Sequence, residues 1–460
     1  MASADMATSD DRTLQLSSHR YLVLLVVAVY DALFQAVWLG LAPVANFADR
    51  YYNRDGATNV FSGTTLAVVM VMSPIAAWLT IKWGIKAALR ICAICCCVGC
   101  ALKFLSCFLV PNDSGFYLAV GGQFVVALGQ PFVGALPAKV SAAWFPPEQR
   151  TRSTAAMFLT IPIAILTTNL TVPNVVTSAE GVFYVNLAFF LVSLVSMAPA
   201  AAIKRSAPKN APKKERISFW RGALLNLKCG DYRILLLAMG GGGGVCNVIY
   251  ALMQQFVCSS GYSNAFAGLC VALIIVGGLV GSTAIAPILD KTKMFEQLMK
   301  VTFSLALFSA IGLLVSVLYA DLQWLIIVSC VGFGFFGISS YVVGLETSAE
   351  CTYPVSPVVA ASLNQLAVQL YGVVLLTLAT VLANRPPTQS ALLLETCSLV
   401  RGDKMAKDWR VATLALAGIS TLVGVTFVVA FSPKLKRSAA EAKIIRSVRR
   451  PSAEDDDTLL

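Results

Sequence analysis

Residues 204–233 read KRSAPKNAPKKERISFWRGALLNLKCGDYR. Nine lysines and arginines fall in these thirty positions, with Pro208 and Pro212 against regular structure. The sequence on either side is apolar. Upstream runs lie near 21–45, 61–81, 89–110, 116–144, 154–174 and 182–203. Downstream runs lie near 234–258, 265–289, 301–320, 323–345, 357–384 and 410–432. A helix crosses a bilayer with about 20 apolar residues, and each run reaches that length. The basic stretch therefore divides twelve expected membrane helices into six and six. The predicted fold is an all-α membrane protein of two six-helix halves, 21–203 and 234–432, with a basic linker at 204–233 and tails at 1–20 and 433–460.

Composition supports that division. Hydrophobic residues are 57% of the 460 and charged residues 13%, whereas a soluble domain carries roughly a quarter charged. The first 19 residues are polar, and the long run from Tyr21 reads as a membrane helix rather than a cleaved signal. An even number of spans puts both tails on one side. Positive charge marks that side as cytosolic: Arg12, Arg20, Lys82, Lys86, Arg90, Arg150, Arg152, Lys291, Lys293, Lys300, Lys434 and Lys436 all fall there. The opposite loops are poor in positive charge apart from Arg50, Arg54 and the stretch 385–409. These loops account for the net charge of +11, so no nucleic-acid partner is called for. The basic linker suits anionic lipid heads. The expected location is the plasma membrane, with an organelle membrane as the alternative.

The 13 cysteines do not form the pattern of a disulfide framework. Cys92, Cys95, Cys96, Cys97, Cys100 and Cys107 crowd one apolar run as small packing residues, without zinc-site spacing. The sole histidine, His19, precedes the first span. No phosphate loop, metal cluster or nucleophile–base pair is visible, so neither an enzyme nor a cofactor or metal is expected.

Polar side chains inside spans are costly and tend to mark function. Asp31, Gln35 and Trp38 recur at helical spacing in the first span, and Gln123, Gln130 and Lys139 in the fourth. Asn247, Tyr250, Gln254 and Gln255 follow five glycines, Gly240 to Gly244, in the seventh, and Asn364, Gln365 and Gln369 group in the eleventh. Each also suits interhelical hydrogen bonding worth about 1 kcal/mol. Trp38 fits an interfacial belt or a cavity wall. The glycines fit close packing or local unwinding. Asp31 fits a coupling site or a packed carboxyl.

Two halves joined by a basic loop resemble the layout of the major facilitator superfamily, and particular strings narrow the likeness. Glu346-Thr-Ser-Ala-Glu350-Cys-Thr-Tyr-Pro354, Leu289-Asp290-Lys-Thr-Lys293, Leu136-Pro-Ala-Lys139 through Trp144-Phe145, and the span from Arg20 to Trp38 resemble the feline leukaemia virus subgroup C receptor (FLVCR) family. The resemblance implies a central substrate site between the halves with Trp38, Gln130 and Gln369 in it. Asn247 stands where that family has a tyrosine, with Tyr250 one turn on, and Ile81 replaces an expected acidic residue. Asp290, Glu346 and Glu350 would form a conformational latch. The family's association with haem and with choline or ethanolamine gives two substrate readings, haem first and a choline-class amine second. Another small organic cation, and a receptor or sensor without flux, complete the alternatives.

Overall fold

The computed structural model describes residues 19–203, 219–319, 321–355, 357–383, 407–433 and 435–436. Its elements are helices: α1 His19–Leu39, α2 Ala45–Tyr51, α3 Ala57–Ser106, α4 Asp113–Gly134, α5 Pro137–Trp144, α6 Pro147–Phe158, α7 Thr160–Val175 and α8 Gly181–Ala202. Then come α9 Phe219–Lys228, α10 Gly230–Cys258, α11 Asn264–Thr292, α12 Phe295–Ser316, α13 Gln323–Thr352, α14 Pro357–Leu382 and α15 Arg410–Ala430.

Eleven helical segments among the described residues are long and apolar enough to cross a membrane. One of them, α3, has 50 residues. At 1.5 Å per residue it would run about 75 Å, against a hydrocarbon core of about 30 Å. It breaks at Gly84, whose φ of 84° and ψ of 176° are open to glycine and strained for other residues. The two legs, 57–83 and 85–106, are the second and third spans, so eleven segments supply twelve crossings. We call the end where α1 begins and α15 finishes the terminal end, and the opposite end the far end.

Three boundaries differ from the sequence reading. The fourth span is not one helix: α4 stops at Gly134 and α5 starts at Pro137, whose missing N–H cannot continue the hydrogen-bond ladder. The linker is not loop throughout, because α9 occupies ten residues of its second half and α10 begins at Gly230 rather than at 234. The tenth span continues to Thr352, so Glu346 and Glu350 lie in its last turns rather than in a junction after it.

Small residues let the helices approach. A Cβ on Gly99 would sit 2.6 Å from the Gly122 carbonyl oxygen, and one on Gly122 2.7 Å from that of Gly99, which fixes the third span against α4. The glycine run in α10 works likewise against α14. A Cβ on Gly240, Gly243 or Gly244 would lie 2.6–2.9 Å from side-chain atoms of Tyr371, Ala367 or Val368. The helix passes through all five glycines unbroken, and Gly240, Gly243 and Gly244 serve close packing against α14.

The halves meet at both ends of the bundle, by different means. At the far end Asn59 Nδ2 donates to Gln255 Oε1 at 3.1 Å, and Gln255 Nε2 donates back to Asn59 Oδ1 at 2.6 Å. Beside them Gln254 Nε2 donates to Asn264 Oδ1 at 3.0 Å, and Asn264 Nδ2 donates to Asn46 Oδ1 at 2.9 Å. At the terminal end Ala77 joins a small apolar cluster with Phe219, Ala223, Val355 and Val359.

Candidate functional site

Between these seams lies a cavity of about 430 Å³ lined by both halves. The first half contributes Gln35, Trp38, Thr65, Gln130 and Phe158 to its wall, and the second Asn247, Tyr250, Tyr341, Gln365, Gln369 and Tyr371. All five residues expected to bind substrate (Trp38, Gln130, Asn247, Tyr250 and Gln369) therefore line one space, although they come from four different spans. Periodicity explains part of this. Gln35 and Trp38 are three apart on α1, and Asn247 and Tyr250 three apart on α10, so each pair shares a helix face.

Four of these side chains end in buried polar atoms without a hydrogen-bond partner: Trp38 Nε1, Gln130 Oε1, Asn247 Nδ2 and Gln369 Oε1. Two are donors and two acceptors. Leaving such groups unmet costs about 1–3 kcal/mol each, so the cavity is built to be filled by something polar. The remaining lining is aromatic and aliphatic. Trp38, Phe158, Tyr250, Phe303, Phe333, Tyr341 and Tyr371 supply rings, and Gly241, Gly242 and Gly243 leave room. Among the described residues, no Asp, Glu, Lys, Arg or His lines it.

Other polar candidates lie elsewhere. Gln123 is fully buried behind the wall, accepting from Lys103 and donating to Thr65. Gln254 and Gln255 belong to the far-end seam. Asn364 is fully buried, donating to Ser348 Oγ and accepting from the Tyr232 hydroxyl. Lys139 donates to the backbone carbonyl of Thr80 and is not in the cavity wall. Asp31 is buried and off the cavity, with Oδ2 unpartnered. Glu346 is exposed and Glu350 buried, both at the terminal end. Asp290 lies on the last turns of α11, and its side chain is outside the described ones.

Sequence reading missed several parts. The rings of Tyr341 and Tyr371 were overlooked because tyrosine in an apolar run carries no periodic signal of its own. Lys103, 3% exposed within a span, is a further buried polar residue that the sequence reading did not single out. Cys258, at the far end of α10, is disulfide-bonded, whereas eleven other cysteines are free.

The sequence description of the Major Facilitator Superfamily matches residues 23–374. Solute carrier family 49 member A3 of Danio rerio is 30% identical over 92% of this chain and 89% of its own length. The choline/ethanolamine transporter flvcr2a of Danio rerio is 23% identical over 80% of this chain and 82% of its own. A solved bacterial homolog to the human lysosomal transporter Spinster superposes with a TM-score of 0.66 at 12% identity, over 90% of this chain and 97% of that one. Twelve crossings that close a cavity between two six-helix halves are what this match requires, and the chain belongs to the Major Facilitator Superfamily.

Proposed function

We propose that this transporter carries a small organic amine of the choline/ethanolamine class across the membrane by alternating access. The observation that carries the reading is the cavity wall: aromatic rings from both halves, four unmet amide or indole atoms, and no fixed charge among the described residues. A quaternary ammonium gains about 0.5–2 kcal/mol from a well-placed aromatic face without needing a counter-ion. The amide oxygens of Gln130 and Gln369 offer dipoles to its positive head, and Trp38 Nε1 and Asn247 Nδ2 offer donors to a hydroxyl. The sequence likeness to a choline/ethanolamine transporter supports the same class.

The first reading of the sequence, haem, gains no support from this wall. Haem carries two carboxylates, and the lining offers them no cation. Lys139, the basic residue in the fourth span, is engaged with the Thr80 carbonyl. The orientation we infer places the termini in the cytosol. The positive charge of the terminal-end loops supports it, as does a disulfide at Cys258 on the far end, where an oxidising compartment would lie. The anionic-lipid contact expected of the linker falls mostly on 204–218, outside the described residues.

Paired uptake of labelled choline, ethanolamine and haem by cells expressing the chain, against a vector control, tests the proposal. Amine flux without haem flux is expected. Haem flux alone would restore the first reading, and no flux of any of the three would favour a receptor or sensor.

A further inference from the structure

Lys103 is a buried basic residue that the transport reading leaves unused. It lies near the far end of the third span and is 3% exposed, while its partner Gln123 on α4 is fully buried. Lys103 Nζ donates to Gln123 Oε1 at 2.7 Å and stands 5.5 Å from the centre of the Phe61 ring. An ammonium has donors and no acceptor, so the Gln123 oxygen must face it. That fixes the other end of the amide. Gln123 Nε2 donates to Thr65 Oγ1 at 2.8 Å. Thr65 in turn donates its hydroxyl proton to the Phe61 carbonyl at 3.1 Å.

A threonine hydroxyl has one proton and two acceptor positions. Here the proton is committed to Phe61 and one acceptor position to Gln123, so one acceptor position remains. Thr65 lines the cavity, whereas Lys103 and Gln123 stand behind it. The chain of donors therefore runs one way, from Lys103 through Gln123 to Thr65, and leaves Thr65 able only to accept.

We propose that Thr65 is a specificity-determining residue that reads a hydrogen-bond donor on the substrate, with Lys103 and Gln123 as positioning residues that fix its polarity. The proposal rests on the amine reading above and extends it. The substrate carries a hydroxyl or N–H beside its cationic head, and an otherwise similar cation without one is discriminated against.

The test compares uptake of choline with uptake of ethyltrimethylammonium, which has the same head and lacks the hydroxyl. The wild-type protein should prefer choline by about tenfold in Vmax/KM, the worth of one good hydrogen bond. Thr65→Val should collapse that ratio towards one, and Thr65→Ser should retain it. Lys103→Met, which frees the Gln123 amide to turn, should raise the KM for choline more than that for the analogue. A purely structural role for the three residues would lower uptake of both cations together and leave the ratio intact. Equal wild-type uptake of the two cations would overturn the proposal while sparing the amine reading. So would a ratio that survives Thr65→Val. Uptake of neither cation would overturn both. Surface expression of each variant, and competition between the unlabelled cations on the wild-type protein, keep the result readable if one variant folds poorly.

Discussion

Two of the described joins between the halves, one at each end of the bundle, use different chemistry. At the far end, Asn59 and Gln255 exchange two hydrogen bonds, and Gln254, Asn264 and Asn46 form a second line across the seam. At the terminal end, Ala77 packs with Phe219, Ala223, Val355 and Val359 through apolar contact. Amide pairs are directional and are either made or broken, whereas methyl groups slide with little change in energy. The far-end seam therefore defines a discrete closed state. The terminal-end cluster is suited to the rocking that the proposed alternating access would require.

The largest effect should come from locking the polar seam. Bridging Asn59→Cys to Gln255→Cys with a short bifunctional thiol reagent should abolish nearly all flux, and each single variant treated alike should keep it. Flux that persists through a verified bridge would show that this seam need not open. Breaking the seam should have a smaller effect. Asn59→Leu strands the Gln255 amide and costs the far-end-closed state about 1–3 kcal/mol. Thiol-reagent access to cysteines placed at the far end of the cavity should rise several-fold, and unchanged access would contradict a latch.

The polar seam also marks how far the sequence could be read. Twelve apolar runs and their division by the basic linker were legible because span length is a local property, whereas the five cavity-lining residues were singled out by the family resemblance. What was hidden depends on which neighbour a helix meets. Gln254 and Gln255 share a polar run with Asn247 and Tyr250, yet the first pair stitches the seam and the second lines the cavity. Gln123 and Gln130 are seven apart on one helix, and one faces Lys103 while the other faces the cavity. The break at Gly84 falls in the basic interval between the runs 61–81 and 89–110, so it was legible as a turn between two spans. The disulfide at Cys258 was obscured by a cysteine count dominated by packing residues.

At the terminal end smaller effects are expected. Glu350 is buried in the last turns of α13, at the terminal end. Glu350→Gln should change Vmax by several-fold with KM held within about twofold, since the residue lies outside the cavity; a pure KM change would overturn its assignment to gating. The smallest effect should follow Val359→Ala, which trims the apolar cluster by two methyl groups and costs about 1–2 kcal/mol. Uptake should stay within twofold of wild type. A loss as large as that of Asn59→Leu would erase the contrast between the seams.

Labelled-choline counterflow into liposomes carrying the purified protein tests most directly whether the aromatic cavity, uncharged among the described residues, holds an amine between the halves. Wild-type protein should accumulate choline, and Trp38→Ala should reduce the rate at least tenfold, through loss of the ring that faces the cation. Counterflow that is equal in the two proteins, or absent from the folded wild type, would contradict it.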